Sequence, residues 1–102
     1  MAEHAVPTVQ VDNERARVTE WRFAPGATTG YHRHEYDYVV MPMTSGQLEL
    51  TDPNGQITQA KLTAGESYFR YAGVEHDVRN ANPGELVFVE IEFKHSSSRA
   101  TR

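Results

Sequence analysis

The chain has 102 residues, a formal net charge of -4 and no cysteine, a length that holds one hydrophobic core and no second. Without cysteine there are neither disulfides nor thiolate ligands, so any metal has to be held by His and carboxylate. The acidic balance excludes a general electrostatic footprint for nucleic acid; with no stretch of transmembrane length and no basic start plus apolar run in Met1–Pro7, no membrane partner and a cytoplasmic location are expected.

Residues 1–13 read as a polar lead followed by an edge strand, Thr8–Val11, with Pro7 where an edge strand tolerates proline. Arg15–Phe23 alternates, placing Arg17, Thr19, Trp21 and Phe23 on one face and Val18, Glu20 and Arg22 on the other; the Trp21 and Phe23 face is expected to point inward. Pro25-Gly26 reads as a turn, because proline presets one dihedral and glycine takes the positive one.

Tyr31–Met43 follows and reads as one continuous strand, broken by Ser45-Gly46. Side chains of a strand alternate, so His32 and His34 share a face that Tyr36, Tyr38 and Val40 continue. Two imidazoles side by side on a rigid strand make half of a metal site. Gln47–Thr51 and Gln56–Leu62 flank Asp52-Pro53-Asn54-Gly55, whose Asn-Gly pair predicts a hairpin with a type I′ turn.

Ser67–Tyr71, Val74–Asn80 and Leu86–Phe93 complete the strands, separated by Ala72-Gly73 and Asn82-Pro83-Gly84. The last strand has Val87, Val89, Ile91 and Phe93 on one face and Leu86, Phe88, Glu90 and Glu92 on the other. Residues 95–102 are Ser- and Arg-rich and read as a flexible tail. No window holds an amphipathic helix, and short strands at near-even spacing predict an all-β antiparallel sandwich or barrel.

Two motifs then carry a family resemblance. Gly26, five residues on, meets His32-Arg33-His34, and Gly46 closes the stretch; Gly65, five residues on, meets Tyr71-Ala72-Gly73, then His76, then Asn80. In this the chain resembles the cupins, most of all a group of very small single-domain cupins connected with β-alanine degradation. The resemblance implies a jelly-roll β-barrel over residues 14–94, a context in amino-acid catabolism and a metal site. It also implies a homodimer paired through edge strands. Two positions depart from the family pattern. Tyr71 stands where the second motif has proline, and the first-motif Glu is missing: the positions three and four residues past His34 hold Tyr38 and Val39. Glu35 and Asp37 have the opposite strand parity to the histidines.

His32, His34 and His76 together offer three neutral imidazoles, a set suited to a divalent transition metal such as Fe, Zn, Ni, Mn or Cu. Three protein ligands with an open position fit catalysis, and the thiol dioxygenases among cupin-like enzymes use three histidines on iron. The metal-free alternative is that these histidines are polar interior residues satisfied by hydrogen bonds. Tyr38 is a candidate catalytic phenol, with packing in the volume vacated by Glu as the other reading. Glu90 is a candidate fourth ligand, against a place on the solvated side. Arg70, Arg22 and Tyr68 are candidates for recognising a carboxylate, against surface ion pairing or strand packing. His4 and His95 lie in terminal segments and are expected in solvent.

The functional expectation is a small metal-binding cupin enzyme acting on a small polar metabolite, with oxygenation as one chemistry open to it. The alternative is a non-catalytic small-molecule-binding cupin domain that has lost the motif Glu. A metal-free sugar-nucleotide epimerase is weaker, because no His–Asp pair and no basic diphosphate group are evident.

Overall fold

The computed structural model describes residues 3–94. Its strands are β1 (Val6–Asp12), β2 (Ala16–Phe23), β3 (His32–Arg33), β4 (Asp37–Pro42), β5 (Gly46–Thr51), β6 (Ile57–Leu62), β7 (Tyr68–Arg70), β8 (Glu75–Asn80) and β9 (Leu86–Phe93). They form a five-stranded sheet in the order β1-β2-β9-β4-β7 and a four-stranded sheet in the order β3-β8-β5-β6. Every strand pair is antiparallel. No helix is long and apolar enough to cross a membrane. The tail expected at 95–102, with His95, lies outside the described residues.

The all-β, antiparallel jelly-roll expectation holds, but the sheets do not close into a barrel. The strands that would have to join them, β3 with two residues and β7 with three, are too short to extend a ladder from one sheet to the other. The interior lies between the sheets instead. Phe23, Leu62, Leu86 and Asn80 are among its fully buried side chains, and the Phe23 and Phe88 rings sit 5.5 Å apart. Burying a ring such as Phe23 contributes roughly 2–3 kcal/mol.

The histidine stretch is not one strand. β3 ends at Arg33, residues 34–36 are irregular, and β4 begins at Asp37 in the other sheet. The cause is a change of partner. The His34 N–H donates to Val74 O at 2.8 Å and the Gly73 N–H to His34 O at 2.8 Å, so this backbone pairs with a turn rather than with a neighbouring strand. The face shared by the histidines, Tyr38 and Val40 survives the break, since His34, Tyr38 and Val40 are all buried. It does not run through Tyr36: Glu35, of supposedly opposite parity, lines the cavity and Tyr36 does not.

The turns separate in the same way. Pro25-Gly26 behaves as expected: Gly26 has φ +83° and the Ala27 N–H donates to Ala24 O at 2.9 Å. Asn54-Gly55 is not a type I′ turn, because Asn54 keeps a negative φ and Gly55 alone is positive, at +83°. Pro53 presets the first central position of a type I turn, closed by the Gly55 N–H on Asp52 O at 2.9 Å. The Asp52 carboxylate then accepts the Asn54 and Gln56 N–H groups, both at 2.9 Å.

β9 settles which of its faces is inside. Leu86, Phe88, Glu90 and Glu92 point inward, while Val89 and Ile91 are half-buried and Phe93 is 36% exposed on the outside. The apolar row is therefore the outer one, and Val39, Met41 and Phe69 continue it across β4 and β7. Inside, the register sets Trp21 opposite Phe88, Thr19 opposite Glu90 and Arg17 opposite Glu92. A carboxylate on this face thus meets a cation or a donor rather than bare hydrocarbon.

Candidate metal centre

His32 and His76 are direct cross-strand partners in the β3–β8 pair, so their side chains stand together on one face. His34 joins them from the segment where the chain leaves one sheet for the other. It is 8% exposed and fixed by its backbone bonds to Val74 and Gly73. The three rings meet edge to face, with centroids 4.7, 4.7 and 5.1 Å apart. The Nε2 atoms converge: His32 to His34 is 3.0 Å and His34 to His76 is 3.1 Å.

That spacing fits an ion. Nitrogens each ~2.0–2.1 Å from a metal lie about 2.9 Å apart at right angles and about 3.4 Å apart in a tetrahedron. The observed separations fall between these limits. The protonation states fit as well. The Nδ1–H of His32 has the Gly30 carbonyl at 2.9 Å as acceptor, which leaves the lone pair of its Nε2 facing its neighbours. Burial, with His32 beside them, holds His34 down to about 3 and His76 to about 4. Both are therefore neutral at pH 7, the form that ligates metal.

Tyr38 stands where the family Glu would be and packs flat on His34, with centroids 4.0 Å apart and planes 17° from parallel. It is 3% exposed, and burial raises its phenol above the ordinary value. Glu90 is inside rather than on the solvated face, but it lies against the wrong nitrogen for a fourth ligand. Its Oε2 is 3.7 Å from Nδ1 of His34, while the convergence point is on the Nε2 side. Trp21 Nε1–H donates to Glu90 at 3.4 Å, and burial followed by repulsion from Glu92 pushes the Glu90 carboxyl up to about 7. Glu92 is held by the Arg17 fork at 2.7 and 3.1 Å.

A cavity of about 620 Å³ opens over this group. The histidines, Tyr38, Glu90, Tyr68 and Arg70 all line it. Arg22 does not: it points out of the interior and pairs with Glu20 at 3.1 Å and Glu85 at 3.3 Å, so the surface ion-pair reading is the right one there. His4 is exposed, as expected. Trp21, expected to face inward but not as part of a site, lines the cavity together with Arg17 and Glu92, which sequence reasoning missed as site residues. The signal was present in parity: Arg17 and Trp21 share a face with Phe23, and Glu92 shares one with Phe88.

Comparison with known proteins agrees with this fold. A family model described as a cupin domain matches residues 19–92. The β-alanine degradation protein BauB of Pseudomonas aeruginosa strain PAO1 is 63% identical over 90 residues, covering 88% of this chain and 94% of that protein. A cupin domain from Bordetella pertussis Tohama I superposes with a TM-score of 0.89 at 57% identity, covering 92% of this chain and 97% of the other. A double-stranded β-helix protein from Klebsiella pneumoniae shares the fold at 23% identity, with a TM-score of 0.73 over 92% of this chain and 80% of its own. On the extent of the family match and the identity to these relatives, the chain belongs to the cupin family.

Proposed function

We propose that this cupin is a metal-dependent enzyme acting on a small polar metabolite in amino-acid catabolism, with His32, His34 and His76 as the ligands. The observation that carries the reading is the convergence of the Nε2 atoms, at 3.0 and 3.1 Å, on the wall of a cavity. The name of the BauB relative supports the metabolic context. A bound Fe, Zn, Ni, Mn or Cu ion would supply Lewis acidity or, if redox-active, oxygen chemistry. The chain's own part is to hold the imidazoles neutral and rigid. The Gly30 carbonyl fixes His32, and the Tyr38 ring fixes the plane of His34. Trp21, Tyr68 and Val40 give the cavity apolar sides.

Elemental analysis of protein purified without a histidine tag tests the ligand set. About one equivalent of a transition metal is expected in the wild type and less than a tenth of that in His34→Ala. Oxygen uptake with candidate metabolites then separates oxygenation from hydrolysis. Wild-type protein that is metal-free and takes up no divalent ion defeats the reading.

One observation favours a non-catalytic, small-molecule-binding alternative: Tyr38 replaces the family Glu, and among the described residues no carboxylate joins the group formed by His32, His34 and His76. Turnover of any metabolite by the loaded protein removes that alternative. A homodimer belongs to the same proposal. Its support is the outer face of the five-stranded sheet, where Phe69 is 44% and Phe93 36% exposed beside Val89 and Ile91. Edge pairing through β1 has less support, since Pro7 and an irregularity between Val9 and Val11 interrupt that edge.

A further inference from the structure

Arg70 is set apart from the other arginines of the cavity. Arg17 is engaged by Glu92 at 2.7 Å and Arg33 faces Glu75 at 4.0 Å, whereas Arg70 has no carboxylate partner among the described residues. The Arg70 side chain is exposed, on the open part of the cavity lining, and register places it there. Tyr38 and Arg70 are directly opposed in the β4–β7 pair, as are Val40 and Tyr68, and opposed residues share a face. Tyr38 and Val40 point into the interior, so Tyr68 and Arg70 flank the same cavity.

The guanidinium is also held in place. It lies over the Tyr68 ring, 4.6 Å from the centroid, and its Nη1 donates to Phe69 O at 3.2 Å. A stacked guanidinium is pre-organised, so less freedom is lost when it takes up a ligand. Among the described residues its remaining N–H donors have no acceptor, which leaves them for a planar, bidentate one. The cavity's buried Glu92 is already neutralised by Arg17, and so does not compete for Arg70.

We propose that Arg70 is the anchor for a substrate carboxylate: the cavity takes a small carboxylic acid, with its anionic end on the Arg70 fork and its other end toward the three imidazoles. This deepens the proposed function and rests on its reading of the cavity as a small-molecule site. Arg70 is then the specificity-determining residue. The chemistry it recognises is a carboxylate, which an uncharged isostere of the same shape does not satisfy.

The chain's single tryptophan, Trp21, lines this cavity and makes occupancy visible as a change in fluorescence. The experiment titrates zinc-loaded protein with acetate, propionate and butyrate and, in parallel, with the corresponding primary amides. In the wild type at least one acid is expected to bind ten-fold or more tightly than its amide. Arg70→Gln is expected to lose that preference, the acid weakening ten-fold or more relative to its amide, and Arg70→Lys, which keeps the charge without the fork, to retain part of it. Acids and amides that bind equally, or neither binding at all, overturn the proposal. So does a preference that survives in Arg70→Gln, because the carboxylate would then be seated on the metal instead. Metal content measured on the same preparations keeps the two readings apart. Loss of metal in the wild type refutes the three-His centre, whereas the acid and amide comparison alone decides Arg70.

Discussion

Asn80 closes the second motif and is fully buried, so substituting it asks how much of the fold hangs on one side chain. Its Nδ2 donates to Gly84 O at 2.8 Å and to Phe23 O at 3.0 Å, with Ala24 O at 3.3 Å. Its Oδ1 accepts from Asn82 N at 2.8 Å and Asn82 Nδ2 at 2.7 Å. Asn80 thereby ties the end of β2 to the turn before β9. Asn80→Ala leaves the buried Phe23 carbonyl and the part-buried Gly84 carbonyl without their donor, at roughly 1–3 kcal/mol for the buried one and less for the other, and the expected loss is about 2–4 kcal/mol. Asn80→Asp is worse, because an acceptor then faces those carbonyls and a charge is buried among them. Against a total stability on the order of 5–10 kcal/mol, the Asp variant should be largely unfolded at neutral pH and should recover part of its structure in acid. Urea denaturation followed by far-UV circular dichroism measures both, with the slope checked for constancy. An Ala variant within about 1 kcal/mol of wild type, or an Asp variant no worse than Ala at pH 7, would refute the reasoning.

Glu90 carries a pH prediction. A carboxyl raised from 4.5 to about 7 stabilises the fold below its unfolded value and loses that contribution as pH rises through about 7. In metal-free protein, Glu90→Gln should be more stable than wild type above pH 7, by up to about 3 kcal/mol, with the gap closing toward pH 5. His34 and His76, whose depressed values act in the opposite sense, are common to both proteins and cancel; a gap independent of pH contradicts the assignment. Tyr38→Phe should cost less than about 1 kcal/mol and Tyr38→Ala about 3–5 kcal/mol, since the ring is packed and its hydroxyl makes no hydrogen bond among the described residues. Equal losses in thermal melts would instead give the hydroxyl a structural role. Ile91→Arg, on the outer sheet face, should convert a dimer to a monomer in sedimentation at micromolar concentration, and a wild-type monomer there removes the homodimer.

Local signals gave the strands whose partners are near or whose two faces differ plainly. Arg15–Phe23 and Leu86–Phe93 read correctly to within a residue, because alternation and flanking turns determine them. The three histidines could be named from spacing because each lies in or beside a strand bounded by turn glycines. What could not be read depends on contacts distant in sequence. Nothing between Tyr31 and Val40 marks the end of β3; the cause is Val74 and Gly73, some forty residues on. The inward face of β9 was hidden because its carboxylates are acceptable inside only with Arg17 and Trp21 in register across from them. Barrel closure was expected from the family pattern, and the shortness of β3 and β7 emerges only from pairing.

The crossing at residues 34–36 has a consequence in time. His32 and His76 can meet as soon as β3 pairs with β8, but His34 reaches them only when the chain has turned toward the opposite sheet. Partners 42 positions apart must then be docked at 3.1 Å before three donors exist at one point. On the proposed three-His reading, capture of an ion would therefore be among the last events of folding, not a nucleus for it as in a zinc finger. Chelation should accordingly strip the native protein without unravelling it, and the grip on the ion should weaken in proportion to anything that loosens the packing of one sheet on the other.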